Sequence, residues 1–180
     1  MAKQVRTVYG NALFEAARDA GRLTSVREEA ETILEAFRLE PDFLRILCHP
    51  EILPEEKEGM LNAVFGENAD PLILAIMEAL LDKKHGGEIP KVLHTFVGLA
   101  LEEEKIGVAE VTSAVELSDA DKDRVRTRLL DTTAYETMRV SFAVDPSLIG
   151  GMIIKLKDKV VDSSLKTKLG HMKNSLLTGA

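Results

Sequence analysis

Few residues of this 180-residue chain are of types that do chemistry, and their spacing argues against most reactions. His85-Gly86-Gly87 could turn backbone N–H groups toward an oxyanion, but that chemistry needs a serine on a GxSxG elbow, and the sequence has none. Four histidines (His49, His85, His94, His171) have no HExxH or CxxC neighbours, so no zinc ligand set is spelled out. No GxxxxGK[ST] phosphate loop occurs, and Gly150-Gly151 is not GxGxxG; a glycine pair ahead of a strand reads as a tight turn. The single cysteine, Cys48, reads as a buried small apolar residue rather than a reactive thiol. It has no partner for an internal disulfide, which fits a reducing compartment. No catalytic residue, cofactor or metal is therefore expected. The chain reads as one that holds something.

The charge pattern says what it could hold. Net charge is −7, but residues 1–105 carry 12 Lys+Arg against 20 Asp+Glu, and residues 106–180 carry 11 against 10. The first part repels nucleic acid and anionic lipid and suits a basic partner helix. The second part clusters Lys155, Lys157, Lys159, Lys166, Lys168 and Lys173. This lysine-rich C-terminal face supports an alternative reading, an RNA-binding or regulatory module. No aromatics are interleaved for base stacking and the cluster has no Arg, so a solvated face or an acidic protein partner explains it better. No apolar run approaches ~20 residues, so no transmembrane helix is expected, and the N-terminus lacks a signal peptide's apolar segment.

The elements that must position a binding surface are mostly helices. Hydrophobic residues make up 45% of the chain and aromatics only 4%, with no Trp, a composition that suits helix-on-helix packing. Val5, Val8, Tyr9, Ala12, Leu13, Ala16, Ala17 and Ala20 recur at helical spacing, and Gly21 closes that helix. Ser25 with Glu28 reads as a capping box for a second helix carrying Val26, Ala30, Ile33, Leu34 and Phe37. A short third helix covers Asp42–Cys48. Pro54 and Asp70-Pro71 open a fourth and a fifth. Gly86-Gly87 breaks the chain, and Pro90 begins a sixth helix with Val92, Leu93, Phe96, Val97 and Ala100 inward. Glu102–Glu104 oppose the macrodipole at its end and read as a solvated hinge.

The character then changes. Val108–Val115 reads as a strand, Ser118 caps a charged helix to about Thr132, and Met138–Val144 alternates as a half-buried strand. Met152–Leu156 and Val160-Val161 pair across a turn at Lys157–Lys159. Ser163 or Ser164 caps a last helix with Leu165, Leu169, Met172 and Leu176 on one face. The predicted fold is α+β, a six-helix bundle over residues 1–105 followed by a small α/β domain over 106–180.

The fifth helix is apolar nearly all round, from Leu72 to Leu81. Such a helix is either central in a bundle or presents a second face to a partner, and periodicity does not separate the two. A groove between the first and fifth helices could accept an amphipathic helix.

Five ordered segments carry a resemblance. Tyr9-Gly-Asn-Ala-Leu-Phe-Glu-Ala-Ala17 resembles the YAxALFExA opening of the ATP synthase delta family, called oligomycin-sensitivity-conferring protein in mitochondria. Leu47-Cys-His-Pro50 with Lys57 and Val64-Phe65, then Leu81-Asp-Lys-Lys-His85 with Phe96, are similar to the next blocks. Gly107–Ala114 with Leu117-Ser118, and Asp145-Pro-Ser-Leu-Ile-Gly-Gly151 onward to Leu169, resemble the last two. Gly10, Gly86-Gly87, Ser163, Lys155–Lys157, Lys166 and Lys168 depart from the usual pattern without removing a group the role needs.

The resemblance implies a non-catalytic stator subunit of F-type ATP synthase, with no cofactor or metal. In this family the helical domain binds N-terminal segments of the catalytic alpha subunits, with the beta subunit as a further neighbour. The α/β domain binds the C-terminal helices of the peripheral-stalk b subunit. The implied location is peripheral, on the cytoplasmic face of a bacterial inner membrane, with no nucleic acid partner. Carried onto this chain, Tyr9, Ala12, Leu13, Ile73, Ile76 and Leu80 are the candidates for the alpha groove. Leu165, Leu169, Met172 and Leu176 are those for the b contact.

Overall fold

The computed structural model describes residues 2–66, 69–157 and 159–178. The fold is α+β, and the chain divides into two compact units, Met1–Glu103 and Glu104–Ala180.

The first unit contains α1 (Ala2–Asp19), α2 (Leu23–Leu39), α3 (Pro41–Leu47), α4 (Pro54–Phe65), α5 (Pro71–Asp82) and α6 (Ile89–Glu103). Helix α6 packs against both α1 and α2, while α5 packs against α1 and α4. Its inward residues Val92, Leu93, Phe96, Val97 and Ala100 are buried, as their spacing predicts. Helices α1 and α6 approach closely at Gly10, where a Cβ would sit 2.9 Å from Thr95 Cγ2. Three rings tie α2, α3 and α4 together: Phe37 lies 5.8 Å from Phe65 and 6.1 Å from Phe43, which is 5.9 Å from Phe65.

Helix boundaries follow local chemistry. Arg22 N–H donates to Ala17 O and Gly21 N–H to Arg18 O, with Gly21 at φ +65°, the Schellman closure that ends α1. Helix α2 then starts at Leu23, three residues earlier than the Ser25 capping box predicts. Ser25 Oγ instead donates back to Arg22 O. Pro54 and Pro71 occupy the first position of α4 and α5.

The second unit is a four-stranded sheet with two helices: β1 (Ile106–Ser113), α7 (Asp119–Thr132), β2 (Thr137–Val144), β3 (Met152–Leu156), β4 (Lys159–Asp162) and α8 (Leu165–Thr178). Strand order is β2-β1-β3-β4. Strands β1 and β2 are parallel, joined through α7 as a parallel pair requires; the β1–β3 and β3–β4 pairs are antiparallel. Strand β1 lies two residues earlier than its β-branched content suggests. Ala109, Leu129 and Met138 form the buried centre of this unit, flanked by Val125, Leu130, Tyr135, Val140, Ile154 and Leu156.

Candidate functional site

Helix α1 and helix α5 are pinned at both ends of their seam. Lys83, the residue after α5, places Nζ 5.5 Å from the centroid of the Tyr9 ring, about two turns into α1. A hydrogen bond with Tyr9, helped by a Coulombic contribution, holds the Lys83 ammonium above its usual range. At the other end Arg22, just past α1, donates from Nη1 to Asp70 Oδ2 at 2.5 Å. Asp70 caps α5 by accepting from Leu72 N–H through Oδ1 at 2.9 Å, and its own N–H donates to Glu29 Oε2 at 2.6 Å. The two helices therefore run antiparallel.

Between the pins, the six candidate groove residues separate into two kinds. Leu13, Ile73 and Leu80 are fully buried, in the same core as Met77 and Leu93. They join α1 and α5 from inside and present no side chain to a partner. Tyr9 and Ile76 are half-buried against that core, and Ala12 is exposed. Those three are the ones a second molecule can touch. Leu72, Leu74 and Ala79 of α5 are also half-buried, so this helix keeps apolar surface beyond what its neighbours cover.

The second candidate surface lies on α8. Ser164, buried, accepts from Thr167 N–H through Oγ and is the N-cap; its own N–H donates to Asp162 Oδ1 at 2.8 Å. Thr167 Oγ1 donates to Asp162 Oδ2. The Ser164 backbone bond, with smaller help from the Ser164 and Thr167 side chains, keeps the Asp162 carboxyl below the ordinary aspartate range. From this fixed start, Leu165, Leu169 and Met172 are 45%, 53% and 63% exposed at helical spacing. Leu176 and Lys173 fall outside the residues whose side chains are described.

Neither surface is built for catalysis. Among the described residues no group of His, Cys, Asp and Glu is arranged to hold a metal ion. Cys48 is exposed rather than buried, because α3 ends at Leu47 and leaves it at the mouth of a cavity of about 420 Å³ with Lys57 and Leu81 on its walls. Partial burial raises the thiol's pKa, against an opposing pull from Lys57. Its neighbour His49 uses Nδ1 to accept from Glu51 N–H.

The family model described as ATP synthase delta (OSCP) subunit matches residues 5–176. The chain belongs to the ATP synthase delta (OSCP) family. It is similar to ATP synthase subunit delta of Lachnoclostridium phytofermentans, 35% identical over 176 residues covering 98% of this chain and 97% of that protein. The counterpart from Synechococcus sp. (strain JA-2-3B'a(2-13)) is 31% identical over 172 residues, covering 96% and 94%. A chain of the Toxoplasma gondii mitochondrial ATP synthase hexamer shares the fold, with a TM-score of 0.79 at 20% identity over 96% of this chain and 97% of that one. The resemblance drawn from the five motifs is thus borne out. The chain is a non-catalytic stator subunit in the peripheral stalk of a rotary ATP synthase. The RNA-binding alternative finds no support. No described helix is long and apolar enough to cross a membrane.

Proposed function

We propose that this subunit ties the catalytic head to the peripheral stalk through two separate surfaces. Residues 1–105, working as one six-helix bundle, bind N-terminal segments of the alpha subunits over Tyr9, Ala12 and Ile76. Leu13, Ile73 and Leu80 hold the floor beneath them. Residues 106–180 bind the C-terminal helices of the b subunit over Leu165, Leu169, Met172 and Leu176. The beta subunit is a further neighbour. The complex places the chain on the cytoplasmic face of a bacterial inner membrane, attached through its partners. Held this way, the head does not turn with the rotor, and ion flow drives ATP synthesis.

The observation that carries this reading is that each compact unit leaves an apolar helical surface open: the Tyr9–Ile76 region in the first and the α8 stripe in the second. The acidic balance of residues 1–105 suits a basic amphipathic segment, and the lysines around α8 suit an acidic one. Several weak contacts then act as one strong attachment. The test is calorimetric titration of the full chain with an alpha N-terminal peptide and with a b C-terminal segment. Ile76→Glu is expected to lose the first and keep the second, and Leu169→Asp the reverse. If each variant loses both partners, or neither, the two-surface assignment fails.

A further inference from the structure

We propose that Ile149 is an anchor residue for an acidic amphipathic helix lying along α8. The inference rests on the reading that α8 receives the stalk helices, and it extends that surface to a loop the reading does not include.

Ile149 ends the turn Pro146–Leu148 with φ 67° and ψ −39°. A β-branched residue in this region is a steric outlier, and such strain persists where the surroundings impose it, often at ligand contacts. The surroundings do impose it. Asp145 accepts from Ser147 N–H at 2.9 Å, Ile149 N–H donates to Pro146 O at 3.1 Å, and Leu148 beside it is buried. The Ile149 side chain, however, is 66% exposed. Fold stability alone gives no reason to keep a large apolar side chain at a position that Gly would occupy without strain and without exposing hydrocarbon.

Its location supplies the reason. Leu165 N–H donates to Gly150 O at 2.9 Å, and a Cβ at Gly150 would lie 2.7 Å from Leu165 Cδ1. The residue next to Ile149 is thus in contact with the first member of the α8 stripe, so the loop and the stripe adjoin. Charge selects the occupant. The sequence of α8 has no acidic residue, Lys166 and Lys168 are exposed beside the stripe, and Lys155 and Lys159 are exposed on β3 and β4. An amphipathic helix with acidic flanks complements this surface, whereas the same face of a second copy would bring lysines against lysines.

The experiment titrates the full chain with the C-terminal segment of the b subunit from the same organism and records thermal unfolding alongside. Ile149→Gly relieves the backbone strain and removes the anchor. It is expected to raise Kd about tenfold or more while leaving Tm unchanged or higher. Ile149→Val keeps both strain and hydrocarbon and should bind nearly as the parent does. Unchanged affinity in Ile149→Gly, or a drop in Tm that parallels the loss of binding, overturns the proposal. Leu169→Asp separates the two ideas: if it loses binding while Ile149→Gly does not, only the anchor is refuted. If Leu169→Asp also binds normally, the α8 assignment falls with it. Sedimentation of the unliganded chain as a dimer that Ile149→Gly abolishes would assign the patch to a second copy and refute the acidic helix.

Discussion

Replacing Asp70 tests whether α5 is held where its exposed face can be used. The Asp70 side chain is only 5% exposed and makes two separable interactions, a cap on Leu72 N–H and the bond from Arg22. Loss of an N-cap costs about 1 kcal/mol. The Arg22 bond joins two charges, a class that contributes about 1.5–3 kcal/mol. Arg22 is 49% exposed, so solvent screening reduces that to about 1 kcal/mol. Asp70→Ala should therefore cost about 2 kcal/mol, or roughly 10 °C in the unfolding of a unit of this size. Asp70→Ser keeps a capping oxygen and should cost about half as much. The Asp70 N–H bond to Glu29 is a backbone bond that both variants retain.

The assay is thermal unfolding of the full chain followed by helical circular dichroism, with a double-mutant cycle on Arg22→Ala and Asp70→Ser. A coupling energy of about 1 kcal/mol is expected. Equal losses in Asp70→Ala and Asp70→Ser would show that the cap contributes nothing. A coupling below about 0.3 kcal/mol would show that the guanidinium does not hold α5. Either result refutes the account of how the helix is pinned.

Four further outcomes are expected. Ile76→Glu should weaken alpha-peptide binding by about 2–4 kcal/mol, the range of a central interface residue, or roughly 30- to 1000-fold in Kd by calorimetry. Gly151→Ala should destabilise by at least ~2 kcal/mol, because φ is +79° and the added Cβ would clash with Ser163 O. Gly98→Ala, in α6 with open space around it, should instead stabilise by about 0.5–1 kcal/mol in the same melts. Acid should weaken the second unit. The folded pKa of Asp162 lies below its unfolded value, mainly through the Ser164 N–H, and that of Asp145 likewise through Ser147 N–H. Their stabilisation is present above about pH 4 and is lost as pH falls through the folded pKa. Asp162→Asn should flatten that part of the Tm–pH curve below pH 4.

What the sequence made legible follows from which residues carry local information. Pro71 after a capping Asp70, and the α6 stripe from Val92 to Ala100, state their structure in residue types alone. Strand β1 was harder because Gly107 reads as a weak strand residue. Its missing side chain makes room for its neighbours: a Cβ there would sit 2.7 Å from Met138 Sδ and from Tyr135 Cδ2. The strand therefore runs through the glycine and ends where Ser113 Oγ donates to Val115 O. Periodicity finds the apolar face of α1 but cannot separate Leu13, at the bottom of the seam, from Ala12 at its rim, since that depends on where α5 lies. Arg27 gave no signal at all. It is 2% exposed on α2, with Glu28 and Glu31 within 3.2 Å and 3.1 Å of its guanidinium. Ile149 is equally silent, because nothing in an isoleucine announces a positive φ.

The two units meet different physical demands, and the difference bears on how a stator is built. The first buries an extended apolar cluster drawn from all six helices and leaves Val8, Leu39, Ile46, Leu53 and Val64 exposed around it. A surface built on such a core can be rigid before a partner arrives, which lowers the entropy lost on binding. The second buries few residues completely, yet it carries most of the large apolar side chains left exposed among the described residues, including Val144, Ile149, Val160, Val161, Leu165, Leu169 and Met172. That surface lowers the stability of the free unit, and the proposed partner would recover the loss by covering it, which would link binding to folding there. The strained Ile149 backbone points the same way, since strain is tolerated where the contact it enables returns more than it costs. In the proposed attachment, a preformed surface on the first unit and a partner-completed surface on the second suit a link that must not slip under torque.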